Sequence, residues 1–296
     1  MSQTDLLHRF LFEEYEVRGE LVQLQQTYAD ILRNHQYPPA IEQLMGELLV
    51  ATSLLTATIK FDGHINVQLQ GDGDVTMATI NGDNKQALRG VARYKQAPAD
   101  DATLQQMIGK GFLLITITPN EGERYQGVVE LTGDTLAQCL ENYFEQSEQL
   151  GTKLILKTGL ENGQKQAAGL LLQKLPAASE SHEQDFIHVT TLAETVKAEE
   201  LFSLDAESLL YRLYHQEKVR LFEPQNVTFV CGCSRSKCES ALISVAKEEL
   251  LDIIKEKGEI AMDCEYCQSS YHFDAVDVEG LFTAENRVET DENIKH

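Results

Sequence analysis

The sequence predicts an α+β fold in three parts. They are an N-terminal mixed α/β core built on antiparallel hairpins, a helical metastable linker, and a small C-terminal domain organised by cysteines. Three observations predict it. Alternating apolar segments meet at tight-turn residues three times in the N-terminal part. A charged helical stretch follows it, and five of the six cysteines fall in two short windows, FVCGCSRSKCES and AMDCEYCQSSY. The expected boundaries are 1–176, 177–225 and 226–296.

The first hairpin lies in HINVQLQGDGDVTMATI, where Ile65, Val67 and Leu69 alternate, Asp72-Gly73 turns, and Val75 and Met77 return. That period of two marks half-buried strands. GFLLITITPNEGERYQGVVEL repeats the plan with Leu113, Ile115 and Ile117 on one face and a turn around Pro119 to Gly122. KLILKTGLENGQKQAAGLLLQ carries Asn162-Gly163, a pair suited to a type I′ turn. Helices are predicted in YPPAIEQLMGELLVATSLLTATI and in DTLAQCLENYFEQSEQL, where Leu136, Cys139, Leu140 and Tyr143 recur at helical spacing. No apolar run is read as a membrane span. The small, polar PAASESHEQDF, from Pro176, is the expected domain boundary.

From there to about Pro224 the chain reads as helical but thin in core. Thr191 and Glu194 are predicted to form a capping box ahead of VKAEELF. SLDAESLLYRLYHQ sets Ala206, Leu209, Leu210 and Leu213 on one stripe. Short charged amphipathic helices need something to pack against. A third unit is expected from Asn226: a strand NVTFV, the first cysteine pair, helices in SALISVAKEELLDIIKEKG, a strand EIAMD, the second pair, and YHFDAVD. The acidic tail after Thr283 is expected to fray.

The 296 residues hold 25 Lys+Arg against 47 Asp+Glu, a net charge of -22. Such a surface repels phosphate backbones and anionic lipid, which argues against nucleic acid and membranes as partners. The N-terminus MSQTDLLHRFLFEEYEV lacks a basic segment followed by an apolar run, so no signal peptide is read and a cytoplasmic location is expected. In that compartment clustered cysteines bind metal or do redox chemistry more often than they form structural disulfides.

Cys231 and Cys233 are one residue apart, Cys264 and Cys267 two apart, with 30 residues between the pairs. Two close thiolate pairs supply the four soft ligands of tetrahedral zinc, one ion per chain. The C-terminal part is therefore a four-cysteine zinc domain, dependent on its metal for much of its folding energy. Cys238 reads as an ordinary helical cysteine, Cys139 as core and His272 as a strand residue. No nucleotide loop, nucleophile elbow, EF-hand or H-E-x-x-H motif is present, and no catalytic residue is assigned. The same thiolates are oxidisable, and each close pair can bridge and eject the metal. Gly232 lowers the backbone cost of the small, strained Cys-x-Cys ring, which is readily re-reduced.

The C-x-C and C-x-x-C pairs at this spacing, with CGCSRSKCESAL and IAMDCEYCQSSYHF around them and VQLQGDGDV, LRGVAR and YFEQSEQL upstream, resemble the heat shock protein 33 family of redox-regulated holdase chaperones. The likeness runs over essentially the whole chain. It implies a protein that is inactive while reduced and zinc-bound. Oxidation would pair Cys231 with Cys233 and Cys264 with Cys267, release zinc and unfold the C-terminal region. The linker would loosen, homodimers would form, and unfolding client proteins would bind without ATP. Gly232 stands at a variable position of the family, and Cys139 and Cys238 lie outside its signature. Two other classes compete. A zinc-ribbon interaction module without redox switching would carry a basic face if it bound nucleic acid, but from Cys231 onward 7 Lys/Arg face 15 Asp/Glu. A thiol oxidoreductase would need only Cys264 and Cys267 and would turn over a dithiol substrate.

Overall fold

A computed structural model describes residues 4–58, 61–175 and 183–282. Two compact units divide the chain, Met1–Val230 and Cys231–His296. The expected boundary at Pro176 and the tail after Thr283 lie outside the described residues.

The first unit opens with strands β1 (Leu6–Phe12) and β2 (Val17–Leu24), then helices α1 (Gln26–Leu32) and α2 (Pro39–Thr58). The first predicted hairpin is β3 (Gly63–Gly71) and β4 (Val75–Asp83), extended by β5 (Ala87–Tyr94). After α3 (Leu104–Ile108), the second is β6 (Gly111–Pro119) with β7 (Tyr125–Glu130). Next comes α4 (Leu136–Tyr143), which buries Leu136, Cys139, Leu140 and Tyr143 as predicted, then a π-helical turn, Phe144–Glu148. The third hairpin, β8 (Thr152–Glu161) with β9 (Gln164–Lys174), turns at Asn162 and Gly163 with φ of 52° and 77°. Those are the left-handed values that Asn-Gly tolerates best. Helices α5 (Glu183–Ala193), α6 (Ala198–Ser203) and α7 (Ala206–Tyr214) follow, and short strands β10 (Val219–Leu221), β11 (Gln225–Asn226) and β12 (Thr228–Phe229) close the unit.

These strands make two six-stranded sheets. One has the order β10-β1-β2-β9-β8, with β11 also on β1; the other runs β12-β5-β4-β3-β6-β7. Helix α2 packs against strands of both. By length and composition alone α2 could cross a membrane, contrary to the expectation from sequence, but most of its apolar window is buried inside this unit. It is a core helix.

Helices α5 to α7 cover the other face of the first sheet. Val189, Ala193, Leu201, Leu209, Leu210, Leu213 and Tyr214 are buried with Phe10, Phe12, Val17, Leu21, Leu170 and Leu172. The expectation of a segment thin in core is corrected. Each helix is short, but the sheet supplies the apolar surface it needs. Gly19 makes room for this layer, because a Cβ there would lie 2.1 Å from the Phe10 ring. The capping box is also corrected. Thr191 lies inside α5 and its hydroxyl donates to the Ile187 carbonyl at 2.7 Å, while Glu200 accepts from the Lys197 N–H at 2.9 Å at the start of α6. A threonine with an open carbonyl one turn back bonds there rather than capping a later helix. The segment NVTFV, expected to begin the third unit, is instead stitched into the first. Asn226 pairs with Leu6, and Thr228 and Phe229 pair in parallel with Ala87 and Leu88.

The second unit holds α8 (Arg235–Ile243), α9 (Lys247–Lys257), a hairpin of β13 (Ile260–Asp263) with β14 (Ser270–Phe273), and α10 (Ala275–Leu281). Its buried core is small: Leu242, Leu250, Phe273, Val278 and Leu281. Helix α9 carries Glu248 and Glu249 in its first turn and Lys255 and Lys257 in its last, each complementing the helix dipole.

Candidate metal centre

Two local structures bring the four predicted cysteines together. Cys231 and Cys233 lie on the segment before α8, whose first turn is capped by the Ser234 hydroxyl accepting from the Lys237 N–H at 3.2 Å. Cys264 and Cys267 sit in the turn of the β13–β14 hairpin. There the Cys264 N–H donates to the Ser269 carbonyl at 2.9 Å and the Gln268 N–H to the Cys264 carbonyl at 2.7 Å. Gln268 closes the turn with φ of 58°.

All four Sγ atoms lie within 4.8 Å of one another, and all four residues are half-buried. Two of the contacts cross between the pairs, Cys231 to Cys264 at 3.5 Å and Cys233 to Cys267 at 3.4 Å. A tetrahedral zinc with metal–sulfur bonds of about 2.3 Å has sulfur–sulfur edges of about 3.8 Å. The donor set and its spacing fit such an ion. Distance alone favours no particular bridge within the cluster.

Polar groups close around the sulfurs. The Tyr271 hydroxyl donates to Cys233 Sγ at 3.2 Å, Ser269 Oγ lies 3.2 Å from Cys267 Sγ, and Lys237 Nζ donates to the Gly232 carbonyl at 2.6 Å. Without metal the thiols share their protons unevenly. Burial pushes Cys231 up to about 12. Tyr271 pulls Cys233 down, but burial and the Cys267 thiol outweigh it and leave its pKa raised. Burial opposes ionisation of Cys267 too, yet the Ser269 hydroxyl and amide prevail and bring it to about 6. A divalent metal that takes all four as thiolates must therefore displace protons, which makes its binding pH-dependent.

The remaining cysteines stand apart from this group. Cys238 lies on α8 and packs against the small core; Cys139 is fully buried in α4, its Sγ 3.7 Å from the Gly133 carbonyl. His272 lies on β14, with Nδ1 2.8 Å from Glu259 Oε1. Sequence reasoning missed Tyr271, Ser269 and Lys237 around the sulfurs. Their proximity to the cysteines in the chain was the only signal available.

Comparison with known proteins gives one consistent result. A family profile described as "Hsp33 protein" matches residues 5–274. The 33 kDa chaperonin of Aeromonas salmonicida is 61% identical over 283 residues, 96% of each chain. That of Serratia proteamaculans is 58% identical, over 96% of this chain and 97% of its own. The crystal structure of a 33 kDa chaperonin from Thermotoga maritima superposes with a TM-score of 0.81 at 19% identity, covering 97% of this chain and 99% of that one.

Proposed function

The chain belongs to the heat shock protein 33 family, and from that premise we propose that this chaperone is a holdase switched by oxidation of a zinc centre. The observation that carries the reading is the cluster of four sulfurs within 4.8 Å of one another. Zinc suits it best, because four thiolates in a tetrahedron favour a soft ion with no redox chemistry of its own. One ion per chain, on Cys231, Cys233, Cys264 and Cys267, holds the reduced protein inactive.

An oxidant converts these thiolates to two disulfides, Cys231 with Cys233 and Cys264 with Cys267. A disulfide sulfur carries no charge and is a poor ligand, so the metal leaves. The second unit, with five buried apolar residues for a core among its described residues, then loses most of what folds it. Chain continuity supports a coupling to the first unit. Only Val230 separates Cys231 from Phe229, whose strand closes one sheet, while β10 and β11 tie the same stretch to β1. Unfolding from Cys231 would strain these short pairings and loosen α7 behind them. Lifting α5 to α7 would uncover Phe10, Phe12, Val17, Leu21, Leu170 and Leu172, an apolar sheet face suited to unfolding clients without sequence preference. The activated form works as a homodimer, without ATP or any catalytic step. The cytoplasm is its compartment, since four thiols stay reduced there until stress.

Peptide mapping after peroxide treatment tests the pairing. Bridges 231–233 and 264–267 are expected, with loss of one zinc. A majority of 231–264 or 233–267 bridges, which join sulfurs in contact across the two pairs, would contradict the switch in this form.

A further inference from the structure

The two cysteine pairs have unequal surroundings. Cys233 Sγ accepts from a phenol at 3.2 Å, and the Lys237 ammonium sits on the Gly232 carbonyl inside the same pair. On the second pair the neighbouring hydroxyl is that of Ser269, 3.2 Å from Cys267 Sγ. Tyr271 is half-buried and held by its strand, directly opposite Met262 in the β13–β14 hairpin. Its hydroxyl is therefore positioned by backbone pairing rather than by a mobile loop.

Four thiolates around a divalent ion leave a net charge of about −2 in a half-buried site. Hydrogen-bond donors spread that charge, keep the ligands on the metal, and tie up the sulfur lone pairs that would attack an oxidant. A phenol is a better donor than an alkyl hydroxyl, since it is the stronger acid. From the Tyr271–Cys233 contact we infer that Tyr271 is a positioning residue of the switch. It protects Cys233 and so slows closure of the 231–233 bridge. The inference rests on the proposed function above.

The chemistry needs a peroxide as oxidant. A thiolate of the second pair attacks one peroxide oxygen, the O–O bond breaks, an S–O bond forms and hydroxide leaves. The sulfur has then lost two electrons. The partner thiolate attacks this sulfenic sulfur, an S–S bond forms, and hydroxide leaves again to be protonated by solvent. Each bridge consumes one peroxide and removes two ligands. Tyr271 delays the second round by withholding the Cys233 lone pair.

The test uses full-length, zinc-loaded wild type, Tyr271→Phe and Ser269→Ala. Three quantities are followed: zinc release under peroxide, zinc loss to a chelator without peroxide, and the oxidised peptides at half release. Tyr271→Phe should keep one zinc per chain and form the 231–233 bridge about tenfold faster, shortening its lag behind 264–267. Ser269→Ala should keep that lag. Because Tyr271→Phe could weaken the fold, wild type loaded with NMR-active cadmium gives a variant-free reading. It should show a slowly exchanging Tyr271 hydroxyl proton coupled to the metal. Absence of that coupling overturns the inference. So does Tyr271→Phe with wild-type rates and order, or with oxidant-free zinc loss accelerated as much as both bridges. Wild type that keeps its zinc under peroxide overturns the switch itself, and this inference with it.

Discussion

Cys231 and Cys238 are both half-buried thiols of the second unit, yet only Cys231 stands within reach of three other sulfurs. Spacing made that distinction legible, because two close pairs separated by a helical insert satisfy a tetrahedron while a fifth thiol has no vacancy. Serine at Cys231, Cys233, Cys264 or Cys267 should cut zinc content severely; serine at Cys139 or Cys238 should leave it near one per chain. Metal analysis of the six variants checks this, and zinc loss in Cys238→Ser equal to that in Cys233→Ser would overturn the ligand set. The groups around the sulfurs were not legible, because a hydroxyl's partner depends on hairpin register rather than on residue type. Glu20 was equally hidden. It is 2% exposed on β2, its Oε2 has no hydrogen-bond partner, and burial lifts it from 4.5 to about 7 against the pull of Arg18 and Arg9. A carboxyl with a raised folded-state pKa costs nothing below its unfolded value. Its penalty grows between pH 4.5 and about 7 and is complete above that. Glu20→Gln should therefore stabilise the protein at pH 8, on the order of 2–3 kcal/mol, and the gain should vanish by pH 4.5. Thermal unfolding across that range reads the difference, and a gain independent of pH would contradict the assignment.

Among elements, the three predicted hairpins, α2 and the stripe on α7 stand where their periodicity put them. The β1–β2 hairpin escaped notice for a physical reason. Its turn at residues 13–16, Glu-Glu-Tyr-Glu, has no Gly, Pro or Asn, and both faces of β2 are buried, so neither turn chemistry nor alternation marks it. Without that sheet in view, helices α5 to α7 read as thin in core, whereas each is stable only as part of a layer on it. Leu213, 4% exposed on the covering face, tests the layer. Leu213→Asp buries an unpaired charge and should give partial holdase activity in reduced, zinc-loaded protein. In wild type, a bridge between Cys231 and Cys233 closes a small strained ring across one residue, which must kink the chain about Gly232. The kink should form readily only once α7 has loosened. Activation by peroxide should thus be slow at low temperature and speed up with mild heat, and Leu213→Asp should lose that dependence. Client-aggregation assays at two temperatures check both; a variant that stays inactive until oxidised would remove α7 from the coupled path.

At the scale of the whole molecule, the two units depend on different forces. The first rests on two sheets around α2 with an extensive buried core; the second has, among its described residues, five buried apolar side chains and the cluster of four cysteines. Structural zinc contributes roughly 10–16 kcal/mol in small domains, more than so small a core can replace. A chelator under reducing conditions should therefore abolish amide protection in α8 to α10 while β3, β4 and β6 keep theirs, as hydrogen exchange would show. Loss of protection in both units together would mean that the metal holds the entire chain. The net charge of -22 should keep the opened protein soluble while its apolar face is occupied by clients. The most direct test of the switch follows zinc and chaperone activity in one sample, with a chromophoric chelator and light scattering from a heat-unfolded client, as peroxide is added. Suppression of aggregation should rise only as zinc is released, reach its maximum at one zinc and two disulfides per chain, and reverse when a dithiol and zinc are restored. Full suppression with zinc still bound, or complete zinc release with no suppression, would contradict it.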